Sequence, residues 1–146
     1  MQLTQHTDYA LRVLIHLGDN TDRRVTISEM SAYFDISRSH LMKVVNHLVR
    51  EGFVIGTRGK GGGLRLGRDA AAITVGEVVR CMERNLDLVR CFSDPSVCVL
   101  ASGCKLKLAL KNALQAFLAS LDAVTLAELL APARGSSEGL YYAAAS

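Results

Sequence analysis

Apolar residues recur along the first half of this chain at helical spacing, then at strand spacing, and the order of the two periods predicts an architecture. Leu3, Tyr9, Ala10, Val13, Leu14 and Leu17 share one face of a helix expected from Thr4 to Gly18, with Gly18 as its stop. A polar linker follows from Asp19 to Arg24. Thr26-Ile27-Ser28-Glu29 then has the form of a capping box, in which the hydroxyl accepts an amide three residues on and the carboxylate reaches back. It predicts a short helix to Phe34. Asp35 and Ile36 make a tight turn, and Ser37 caps a further helix to about Gly52 whose Leu41, Val44, Val45 and Leu48 point inward. Two short helices across such a turn form a helix-turn-helix, whose second helix enters the major groove of DNA.

Phe53-Val54-Ile55 and Leu64-Arg65-Leu66 read as two paired strands, joined by the glycine-rich basic turn from Thr57 to Gly63. A phosphate-binding loop is the competing reading of that turn, but the spacing is not Walker-like and no helix follows directly. A DNA-binding wing fits better. Thr74-Val75-Gly76-Glu77 repeats the capping-box form and opens a helix expected to reach Arg84. From Lys105 to Leu130 the pattern predicts one helix, about 40 Å long at about 1.5 Å per residue. Leu106, Leu110, Ala113, Leu114, Phe117, Leu121 and Val124 form its stripe. A small head cannot cover such a stripe, so pairing with a second copy is expected. Pro132 ends the helix, and residues 135–146 read as a frayed tail. The fold class is therefore mainly α with a small β-wing. A winged helix-turn-helix domain is expected over residues 1–84, a cysteine-rich loop over 85–104, a dimerisation helix over 105–131 and a flexible tail over 132–146.

Charge sharpens this picture. The chain carries +3 overall, yet Arg38, Lys43, Arg50, Arg58, Lys60, Arg65 and Arg68 lie in one segment with a single acid, Glu51. Such a patch attracts a polyanion, and phosphate neutralisation supplies most non-specific DNA affinity. Ser37, Arg38, Ser39, His40 and Lys43 open the recognition helix, with Arg38 placed to read a base through its bidentate fork. Arg58, Lys60 and Arg65 on the wing are expected on backbone or minor groove. His40 and Asn46 read equally as solvated surface. One head makes few contacts, so two heads on a near-palindromic double-stranded operator are expected. No apolar run approaches the length of a membrane span, and no secretory signal is visible, so the expected location is cytoplasmic.

Cys91, Cys98 and Cys104 follow the head and precede the long helix. In a reducing compartment, clustered cysteines point to metal ligation or redox sensing rather than to structural disulfides. Structural zinc sites generally use closer pairs; the wider spacing here suits a larger object, and iron–sulfur clusters are held mainly by thiolates. Lys105, Lys107 and Lys111 oppose the dipole of the helix they begin, a cost that an anionic cluster nearby would offset; solvated lysines are the plainer reading. A thiol-redox regulator without a cluster is the alternative function. An enzyme with a reactive cysteine is disfavoured, because all four histidines lie at or before His47 and no Cys–His pairing is evident.

The residues Leu3-Thr4, Thr7-Asp8-Tyr9-Ala10-Leu11-Arg12, the run from Ser37 to Val45, the wing from Arg58 to Leu66, the three cysteines and Cys104-Lys105-Leu106 together resemble the family of winged-helix iron–sulfur regulators, in particular its nitric-oxide-sensing repressors. The resemblance runs from Met1 to about Leu130. It implies a homodimeric repressor with a 4Fe–4S or 2Fe–2S cluster in each subunit, nitric oxide as signal, and release of DNA on nitrosylation or loss of the cluster. It also implies that Asp8 from the partner subunit is the fourth ligand; from the residues alone, Asp8 reads as an ion-pair partner of Arg12, four positions on. Some relatives use a histidine three positions past the third cysteine, where this chain has Lys107. Cys81 is a rival ligand, but among Val75, Val78, Val79 and Met82 it reads as a small buried residue.

Overall fold

The computed structural model describes residues 2–98 and 103–131. Helix α1 (Gln5–Asp19) begins at Thr4, whose hydroxyl accepts the amide of Thr7. Its apolar face, Ala10, Val13, Leu14 and Leu17, is fully buried and forms the centre of the core. Gly18 is the penultimate residue of this helix rather than its stop, and a Cβ there would overlap the side chain of Leu130. Helix α2 (Ile27–Phe34) has the complete capping box of Thr26 and Glu29, and ends at Asp35 in the left-handed conformation. That turn sets helix α3 (Arg38–Arg50), capped by Ser37, with Leu41, Val44, Val45 and Leu48 packed inward as expected.

Strands β1 (Val54–Thr57) and β2 (Gly63–Leu66) pair antiparallel, with Val54 opposite Leu66 and Thr57 opposite Gly63. A bridge between Val25 and Leu64 fastens the wing to the entry of α2. Helix α4 (Val75–Met82) follows, two residues shorter than the pattern predicts. Its capping box is half formed: Thr74 accepts the Glu77 amide, while the Glu77 carboxylate pairs with Arg68 at 3.0 Å.

The 26-residue helix is the main departure. Helix α5 (Lys105–Asp122) stops, and a separate helix α6 (Leu126–Leu130) begins at Thr125. Thr125 and Glu128 form a capping box that the continuous apolar stripe conceals. Leu126, 2% exposed, turns back into the core, and its amide donates to the Ile73 carbonyl at 2.8 Å. The chain therefore folds its last turn against α1 instead of extending away. Among the described residues no side chain of α5 is fully buried, and Leu106 and Leu108 are 66% and 60% exposed. The expected tail, residues 132–146, lies outside the described residues.

Candidate nucleic-acid interface and cysteine loop

Rigid placement of α3 begins at its N-cap. The Ser37 hydroxyl accepts the His40 amide and lies 3.3 Å from the Ser39 hydroxyl. With Leu41, Val44 and Leu48 locked below, Ser37, Arg38, Ser39, His40, Lys43 and Asn46 all face solvent. Met42, 46% exposed, is an apolar residue among these polar ones.

The wing presents Arg58, Lys60 and Arg65 on exposed positions beside β1 and β2. Its turn depends on glycine: Gly59 and Gly61 have φ of 94° and 78°, values that side-chain-bearing residues rarely adopt. Arg24, assigned by sequence to a linker, reaches the wing, where its guanidinium donates to the Gly61 carbonyl at 3.4 Å. The Val25–Leu64 bridge brings it there, and nothing local in the sequence signals that pairing. The basic patch is smaller than its residue count. Arg50 pairs with Glu51, and Arg68 pairs with Glu77 while its guanidinium stacks 4.6 Å from the Phe53 ring centroid. Among the described residues, no ion pair engages Arg38, Lys43, Arg58, Lys60 or Arg65.

The cysteine loop leaves α4 through Glu83. Burial pushes the Glu83 carboxyl up, but hydrogen bonds from the Thr7 hydroxyl and from the Thr4 amide and hydroxyl outweigh it, so its pKa lies below the ordinary glutamate value. These bonds, at 2.6, 2.7 and 3.1 Å, tie the stem of the loop to the first turn of α1. They also explain why α4 stops short of Arg84, since the Glu83 side chain is committed to another helix. Cys91 lies in a short 3₁₀ turn, Arg90–Phe92, and Cys98 directly follows a second, Pro95–Val97. Asp94 organises the second turn by accepting from the Ser96 hydroxyl and amide, which lower its pKa in that order. Cys104 caps α5, its sulfur accepting the Lys107 amide at 3.4 Å.

All three loop cysteines are free and half-buried. They are not gathered as ligands of a single ion would be: among the described residues, the one set of three such donors within 4.8 Å of each other is His47, Glu51 and Cys81. Thiolates that hold a cluster sit on different irons, so wider separation is compatible with one. Three free thiols, one already at a helix N-terminus where amides favour a negative group, suit an anionic iron–sulfur cluster. Asp8 forms the ion pair with Arg12, at 2.9 Å with both side chains about half exposed. Among the described residues no hydrogen bond or ion pair joins Asp8 to the loop of its own chain.

One sequence inference needs correction. A Cys–His proximity does exist, because the fold brings Cys81 of α4 near His47 of α3. Cys81 is half-buried rather than fully so, and burial, then Glu51 and Glu77, push its thiol pKa up. A thiol so disposed is a poor nucleophile, so an enzyme gains no support from the pair.

Residues 3–132 match the protein family described as Rrf2, iron-dependent transcriptional regulator. The fold is similar to that of CymR, the global cysteine regulator of B. subtilis, at 25% identity and a TM-score of 0.74, over 89% of this chain and 96% of that one. IscR of T. potens matches at 21% identity and a TM-score of 0.72, over 89% and 86%. The oxidised form of Staphylococcus aureus CymR matches at 21% identity and a TM-score of 0.73, over 92% of this chain and 100% of that one.

Proposed function

The chain belongs to the Rrf2 family of transcriptional regulators, and on that premise we propose that it is a homodimeric DNA-binding repressor of the NsrR type, sensing nitric oxide through an iron–sulfur cluster. The observation that carries the reading is the loop itself. Cys91, Cys98 and Cys104 are free thiols on a segment whose stem, Glu83, is bonded to α1 and whose end caps α5. These three residues would hold the cluster, with Asp8 of the partner subunit as fourth ligand. A bound cluster supplies iron, to which nitric oxide binds strongly.

The chain's own residues provide the coupling. A carboxylate is a harder donor than a thiolate and should be the ligand most readily given up. Asp8 directly follows Thr7 and stands one turn from Thr4, so its engagement or release acts on the helix that packs against α3. In the free chain Arg12 holds the Asp8 carboxylate and competes for it. A coupling of about 1–3 kcal/mol changes DNA affinity about 5- to 150-fold.

The likeness to CymR supports a second reading, a thiol-redox regulator with the same head and no cluster. Anaerobic purification with iron and acid-labile sulfide counts, followed by nitric-oxide titration, separates the two. Stoichiometric iron and sulfide with an absorbance that bleaches on nitric oxide is expected. Colourless, iron-free protein after attempted reconstitution would favour the thiol switch.

A further inference from the structure

We propose that His47, Glu51 and Cys81 form a second metal site, mononuclear and of zinc type, joining the end of the recognition helix to α4. The site stands on this chain's own geometry and does not depend on a cluster in the loop. His47 lies in the last turn of α3 and Glu51, four residues on, is its C-cap; the imidazole Nε2 is 3.9 Å from the Glu51 carboxylate. Cys81 completes a set whose ligand atoms all lie within 4.8 Å of one another. In a tetrahedral zinc site the ligand atoms stand roughly 3.3–3.8 Å apart, so about 1 Å of side-chain closure suffices.

The surroundings favour ligation. His6 Nε2 lies 3.0 Å from His47 Nδ1. With Nδ1 of His47 donating in that contact, its Nε2 is the free donor, the arrangement that metal-bound histidines generally use. The Glu51 oxygen that faces His47, Oε1, also accepts from Arg50 Nε at 3.1 Å, so a bound cation would share that oxygen with the arginine or displace it. The Cys81 proton would be displaced on binding, as metals do to coordinating thiols. One imidazole, one thiolate and one carboxylate select zinc-like ions over calcium or magnesium. A groove of about 1040 Å³ lined by His47 and Cys81, and also by Lys43, Arg50, Glu83 and Arg84, gives entry and room for a water as fourth ligand. Occupancy would clamp α3, and so the DNA-reading face, against α4.

The test is an anaerobic Co²⁺ titration of the full chain carrying Cys91→Ser, Cys98→Ser and Cys104→Ser, which removes the loop thiols and leaves the core untouched. One Co²⁺ per chain with a thiolate charge-transfer band is expected, and Zn²⁺ should displace it. Adding Cys81→Ser should abolish the band, and His47→Gln or the solvent-exposed Glu51→Gln should weaken binding at least tenfold. No charge-transfer band in the parent, or unchanged affinity in both the His47 and Glu51 variants with their circular dichroism intact, overturns the site. Either result leaves the question of the loop cluster separate.

Discussion

Under the proposed function, Arg38 and Lys60 make two kinds of contact with DNA. Arg38 opens α3 at its exposed N-terminus, where a side chain meets base edges. Arg38→Ala is expected to cost about 1–3 kcal/mol on the cognate operator and to relax preference at one base position. Lys60, at the tip of the wing, should act on phosphate. Lys60→Ala should weaken all sequences alike and reduce the slope of log affinity against log salt by about 1 per head. Fluorescence anisotropy across a salt series distinguishes the two. Glu83 makes a separate prediction. Its pKa is lower folded than unfolded, so its contribution is full above the unfolded glutamate value and is lost as pH falls through the folded one. Thermal melts across that acid range should show a shallower decline for Glu83→Gln than for the parent.

At the scale of elements, the break at Ala123–Val124–Thr125 decides how α5 relates to the head. Helix α6 exists because its cap, its buried Leu126 and the Leu126–Ile73 hydrogen bond outweigh continuation of α5. Thr125→Ala should destabilise the chain by about 1 kcal/mol, the usual value of an N-cap hydroxyl. Urea denaturation should show a lower midpoint with an unchanged slope. Glycine has a similar role twice at helix crossings. Gly18 admits Leu130, and Gly76 of α4 lies against Asp122, which also holds Arg80 in a two-bond ion pair.

At the scale of the molecule, the apolar stripe of α5 is incompletely covered among the described residues: Leu106 and Ala113 are exposed, and Leu110, Leu114, Phe117 and Leu121 are only half-buried. The proposed dimer would bury it, bringing two reading heads to one operator and Asp8 of one subunit to the cysteine loop of the other. Leu110→Glu with Ala113→Glu should yield a monomer by light scattering. Neither residue belongs to the core, so the head should remain folded. Affinity for a two-half-site operator should then collapse towards that of a single head.

Local chemistry was enough to place α1, α2, α3 and the wing, because their caps, periodicity and turn glycines are written within a few residues. The same is true of Arg38, Lys43, Arg58, Lys60 and Arg65, whose exposure follows from the buried face opposite them. Local pattern misplaced the end of the long helix, because Leu126 is apolar in either arrangement and only contact with α1 and Ile73 selects the fold-back. Arg24 on the wing, Glu83 at the foot of α1 and Cys81 beside His47 were likewise invisible. Each depends on two segments far apart in sequence meeting in space, and neither segment carries the signal alone.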